Sequence, residues 1–191
     1  MDASRGLSLA AIIALVAVLA GCGGTKTVTV TTTQTVTTTA AATTTAELAA
    51  CTTDDLTGVF KELAGSAGAG QISYELVLTN ATQSPCWVSG LPTIQLLDAS
   101  GGNLPTHEDA AHPGTATAAK ITLQPGDSAS AQARFSPDVN GVGDNQTGAC
   151  QPKAATARVV IGAGTLDAPI QPPTSVCEQG ALHVDLFTAA S

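Results

Sequence analysis

Residues Gln71 to Asn80 alternate Ile72, Tyr74, Leu76 and Leu78 with Ser73, Glu75, Val77 and Thr79. A period of two puts the first set on one face of a strand, so this segment suits one wall of a half-buried sheet. Shorter runs repeat the signal at Thr93 to Leu97, Lys120 to Leu123, Ser128 to Phe135, Ala157 to Ile161 and Leu182 to Phe187. In Ser128 to Phe135 the inward set is Ala129, Ala131, Ala133 and Phe135. Asn80 to Pro85 reads as a turn, and Gln124-Pro125-Gly126-Asp127 as a type II turn closing a hairpin, with proline second and glycine third. Only Leu56 to Ala64 has helical spacing. Short strands between turn signals, in one unit spanning 51–191, predict an all-β domain built as an antiparallel β-sandwich.

The N-terminal segment has a different character. Leu7 to Ala20 is apolar except for Ser8 and follows Arg5. As a helix, this run of about fourteen residues spans about 21 Å, short of the roughly 30 Å hydrocarbon core of a membrane, which favours a cleaved export signal. It closes in Leu19-Ala20-Gly21-Cys22, which resembles the cleavage and lipidation box of bacterial lipoproteins. The resemblance implies a signal peptide over 1–21 and a diacylated Cys22 as the new N-terminus. Two acyl chains anchor stably, so the expected partner is the membrane itself and the expected location its extracytoplasmic face. Residues 22–50 then form the lipidated cysteine and a threonine-rich linker. Its 25–46 stretch has too little bulky apolar surface to offset its ordering entropy and reads as a solvated tether, whose dense hydroxyls suit O-glycosylation.

Five cysteines are an awkward number for an exported protein unless one is used differently. Assigning Cys22 to lipid leaves Cys51, Cys86, Cys150 and Cys177 for two disulfides, with three possible connectivities. Sequential pairing is favoured because each bond closes a loop of about thirty residues, worth about 3.5–4 kcal/mol in the chain-entropy model. No two of these cysteines have the close spacing of a zinc knuckle.

Cys51, Tyr74-Glu75-Leu76-Val77-Leu78-Thr79-Asn80, Pro85-Cys86-Trp87-Val88-Ser89-Gly90-Leu91-Pro92, Leu123-Gln124-Pro125-Gly126-Asp127-Ser128-Ala129, Cys150 and Cys177 follow one another across the domain. The succession resembles the domain-of-unknown-function 4232 family, found mainly in exported actinobacterial proteins. The resemblance implies an immunoglobulin-like β-sandwich with two disulfides, often behind a lipoprotein signal, and brings no catalytic motif. The Pro137 to Ala149 loop and the Pro169 to Pro173 stretch depart from that pattern. By analogy with immunoglobulin-like domains, Trp87 is expected to pack against a disulfide in the core.

Motifs that carry chemistry are near misses. His107-Glu108-Asp109-Ala110-Ala111-His112 has one residue more than the zinc-peptidase motif, and a spacing of five places the second histidine about 140° away around a helix. Asp138, Asn140 and Gly143 echo a calcium loop, but Val142 and Ala149 stand where oxygen ligands are needed. His107, His112, Asp138 and Asp144 are therefore weak metal candidates. No serine lies in a nucleophile motif, and His183 faces the side opposite Leu182 in its strand.

The domain carries thirteen acidic against five basic side chains, a net charge of minus eight, which disfavours nucleic acid as a partner. With no catalytic site and no cofactor motif, the chain reads as a non-enzymatic, membrane-anchored envelope lipoprotein. Its sandwich is expected to act as an interaction module for an envelope protein or cell-wall component. The alternative is a small-ligand or metal-ion carrier that uses the 107–112 or 138–144 loop.

Overall fold

The computed structural model describes residues 47–114 and 117–190; the expected signal peptide, Cys22 and the 25–46 tether lie outside the described residues. The strands are β1 (Leu56–Glu62), β2 (Ile72–Asn80), β3 (Cys86–Val88), β4 (Thr93–Leu97), β5 (His107–Ala110), β6 (Ile121–Leu123), β7 (Ser128–Phe135), β8 (Ala154–Ile161), β9 (Gly164–Thr174), β10 (Ala181–Val184) and β11 (Thr188–Ala189). Among the described residues no helix is long and apolar enough to cross a membrane. The disulfides join Cys51 to Cys86 and Cys150 to Cys177.

The two-sheet, immunoglobulin-like sandwich expected from the sequence is not what forms. One nine-stranded sheet runs β4-β8-β9-β1-β2-β7-β10-β5, with β11 added to β7, while β3 and β6 make a separate two-stranded ribbon. The large sheet curls until its end strands meet, giving a nearly closed barrel. At the seam Leu104 N–H donates to Leu96 O at 2.9 Å, and Leu96 N–H donates to Thr106 Oγ1 at 3.0 Å. The Glu108 carboxylate of β5 accepts Ile94 N–H of β4, and burial pushes its pKa up.

Two features of the chain turn the expected sandwich into a barrel. The first is large-against-small pairing on the inner face: Tyr74 stands opposite Ala133, Leu76 opposite Ala131 and Leu78 opposite Ala129. Small residues on β7 let the sheet curve tightly around the large ones. The second is β9, which belongs to two neighbours. It pairs with β8 from Gly164 to Pro169 and again at Thr174, and lends Ile170 and Gln171 in between to Phe60 and Lys61 of β1. A single strand thus joins what would otherwise be two sheets. Alternation reveals which face of a strand is buried, but sandwich and barrel bury the same faces.

The helix signal at Leu56 to Ala64 is also corrected, because that segment is β1. Leu56 and Phe60 are both buried, and residues four apart share a face in a strand as well as in a helix. Between them Gly58 hides the alternation. A Cβ there would lie 3.2 Å from Ala168 Cβ and 3.2 Å from Leu166 Cδ2, so the inward position is occupied by its neighbours. The 124–127 turn forms, with Gly126 at φ +86° and Asp127 N–H donating to Gln124 O at 2.9 Å. It closes no hairpin, because β6 pairs with β3 and β7 with β2.

Phe60, Tyr74 and Phe135 pack against one another as tilted rings inside the barrel, with centroids 5.4 and 5.3 Å apart. Asn80, almost fully buried, links barrel to ribbon: its Nδ2 donates to Ser84 O at 2.8 Å and Leu123 O at 3.0 Å. Its Oδ1 accepts from Thr82 N–H and Oγ1, both at 2.9 Å. Trp87 is half-buried and lies on the side of β3 away from Cys86 rather than in the core. Its Nε1 donates to Leu48 O at 2.8 Å and Lys120 Nζ lies 4.2 Å from the ring centroid.

Candidate functional site

Outward-facing side chains of β2, β7 and the C-terminal strands stand in rows. Ser73, Arg134 and His183 are cross-strand neighbours, and Glu75 pairs with Gln132 in the next row. Asp185 continues that second row, its N–H donating to Gln132 O at 2.8 Å. Val77, Ser130 and Thr188 form a third. After β5 the chain crosses beside these rows as residues 111–114, tied down by Ala111 N–H donating to Val184 O at 2.8 Å.

The result is a groove on the outer wall of the barrel, made of two adjoining cavities. One, about 480 Å3, is lined by Leu63, Leu91, Pro113, Val184 and Leu186 together with Glu75, Ser130 and Thr188. The other, about 450 Å3, is lined by Ser73, Arg134 and His183. His112, Gln132 and Asp185 line both. Each volume falls in the range of about 300–1,000 Å3 usual for small-ligand sites. Glu75 faces Lys61 Nζ at 3.6 Å, and Asp185 faces His112 Nε2 at 3.6 Å.

A second feature is buried. The Asp144 carboxylate and the sulfurs of Cys150 and Cys177 lie within 4.8 Å of one another, the metal-ligand grouping found among the described residues. Burial pushes the Asp144 pKa up, but the bonds it accepts outweigh this and hold the carboxyl far below its ordinary value of 3.8. Oδ2 accepts Gly141 N–H at 2.8 Å and Glu178 N–H at 2.6 Å. Oδ1 accepts Gln179 N–H at 2.9 Å, Gln151 Nε2 at 2.9 Å and Gln179 Nε2 at 3.2 Å.

Those bonds hold a left-handed turn, Cys177–Gly180, in which Glu178, Gln179 and Gly180 have φ of 56°, 58° and 80°. Left-handed backbone costs a residue other than glycine about 1–2 kcal/mol, which the carboxylate and the disulfide offset. Gly180 is required for a further reason, since a Cβ there would lie 1.9 Å from Pro105 O.

The metal candidates from the sequence are not brought together. His107 is exposed on β5, so the near-motif lies on a strand and a loop rather than a helix. His112 lies in the groove beside Asp185. Asp138 is exposed, whereas Asp144 belongs to the buried cluster. Arg134 and Gln132 were not singled out by sequence reasoning. The available signal was parity, since they are the outward complement of the inward alanines of β7. The expected sandwich interaction module falls with the sandwich, and the groove and the buried cluster favour the alternative, a ligand-binding domain.

The native Asp144 pKa is depressed, so its contribution to stability is present above the unfolded-state value and lost as pH falls through the acid range. Asp144→Asn is expected to lower the melting temperature at neutral pH and to flatten its decline below about pH 4. Calorimetric melts of both proteins across that range check this, and an unchanged acid limb contradicts it.

No curated protein and no solved structure matches the chain. The family model described as "Domain of unknown function (DUF4232)" matches residues 51–188. With most of the chain covered by that match, the Cys51 to Thr188 barrel and both of its disulfides fall within it, and the protein belongs to the DUF4232 family.

Proposed function

We propose that this DUF4232 domain binds a small ligand in the groove on its outer wall, using the loop that follows β5. The observation that carries the reading is the pair of adjoining cavities of about 480 and 450 Å3 over Gln132. Apolar walls with a few convergent polar groups are the usual composition of a ligand site. Gln132 is exposed on the floor of both cavities, so Gln132→Trp fills the groove without touching the core. An uncharged environment-sensitive dye is expected to bind the protein saturably and to bind Gln132→Trp about tenfold more weakly or worse. Val142→Ser, at a site 98% exposed in another loop, should leave it unchanged. Equal dye binding by wild type and Gln132→Trp contradicts the reading.

A second reading, metal binding, is favoured by the Asp144, Cys150 and Cys177 grouping. In the disulfide neither sulfur is a thiolate, the form that ligates metal, so this reading requires prior reduction of Cys150–Cys177 by a dithiol. Zinc is then expected to bind one to one after reduction and not before, and Asp144→Asn to weaken it. A flat calorimetric trace for the reduced protein rejects the metal reading.

We also propose that the domain is held at the membrane through a lipid on Cys22, the residue that closes the Leu19-Ala20-Gly21-Cys22 box. Cys22→Ser is expected to leave the chain unprocessed or to release it from the membrane fraction. Unchanged mass and fractionation rule the anchor out.

A further inference from the structure

The groove is chemically uneven. Its apolar walls, Leu63, Leu91 and Leu186, line one cavity, whereas Arg134 and His183 line only the other. Glu75 lies 3.6 Å from Lys61 Nζ, and Asp185 lies 3.6 Å from His112 Nε2, a contact that is an ion pair only when the imidazole is protonated. Elsewhere on the domain Lys120 faces Glu47 at 3.5 Å, and Arg158 holds Asp167 through Nε at 2.7 Å and Nη2 at 2.9 Å. Arg134 differs. In a domain with thirteen acidic and five basic side chains, it stands in a cavity with no carboxylate at salt-bridge distance among the described residues.

Cross-strand pairing places Ser73 and His183 on either side of it. A hydroxyl, a guanidinium and an imidazole in one row offer hydrogen-bond donors to an anion, and a guanidinium matches a carboxylate with two parallel N–H bonds. One guanidinium balances one negative charge, and Asp185, which lines the same cavity, disfavours a more highly charged head. From the geometry we infer that the groove takes an amphipathic carboxylate, its head on Arg134 and its apolar body along Leu63, Leu91 and Leu186. This inference rests on the groove being the ligand site.

Three probes of equal chain length separate the possibilities on the full chain by titration calorimetry: octanoate, octanol and octylamine. Octanoate is expected to bind most tightly, and Arg134→Gln to weaken it about tenfold or more while leaving octanol unchanged. If Arg134→Gln also loses octanol, His183→Gln, exposed on the neighbouring strand, is expected to weaken octanoate selectively. Octanoate and octanol binding equally, octylamine binding best, or neither variant discriminating overturns the carboxylate assignment while leaving the groove in place. If none of the probes binds and Gln132→Trp changes nothing, the groove reading falls with it.

Discussion

The arrangement depends first on one carboxylate. Asp144 gathers two loops that are far apart in sequence, accepting N–H groups from Gly141 on one side and from Glu178 and Gln179 on the other. Without that anion the left-handed turn would present several partly buried donors with no protein acceptor. The Cys150–Cys177 bond secures the same turn covalently. From the turn the chain enters β10, with Gly180 pressed against Pro105 just ahead of β5. The parallel pairing of β10 with β5 follows, Ala181 opposite His107 through Val184 opposite Ala110. β5 in turn delivers residues 111–114 to the edge of the groove.

Closure of the barrel and the groove are two sides of one wall. Inside, large side chains of β2 meet alanines of β7. Outside, the same strands present Gln132 and Arg134 to solvent, with Glu75 partly exposed and Ser73 buried beside Arg134. Because the inner face fixes strand spacing and register, the outer rows stand on rigid backbone rather than on a loop, the condition for a well-defined binding site. The loop contributes only the rim, through His112 and Pro113. A site on the outer wall needs no internal cavity, and the barrel interior is filled by Phe60, Tyr74, Leu76 and Phe135.

Inward faces were the legible part of the fold. Alternation in 72–80 and 128–135 identified residues that are almost wholly buried, and parity placed His183 outward, where it is exposed. Pairing was not legible, because alternation carries no information about which strand lies alongside. β1 lost its signal to Gly58, whose missing side chain makes room for Leu78, Leu166 and Ala168. β9 was obscured by Pro169, Pro172 and Pro173, residues that normally argue against a strand. The seam depends on side-chain hydrogen bonds of Thr106 and Glu108, which no hydrophobic alternation announces. The groove was invisible for a related reason: Arg134 and Asp185 are ordinary outward residues until the register of β7 and β10 sets Arg134 opposite His183 and Asp185 against Gln132. Of the two loops considered for ligand binding, 107–112 contributes to the groove through His112, whereas 138–144 serves through Asp144 as the clamp that positions it.

The central claim is that ligand binds outside the barrel, over β7 and β10. Backbone amide shifts of the isotope-labelled protein, followed during titration with octanoate, test it directly. Concentration-dependent shifts confined to residues 73–75, 111–114, 130–134 and 183–188 are expected. Shifts centred instead on residues 138–146, or no saturable shifts at all, would contradict it.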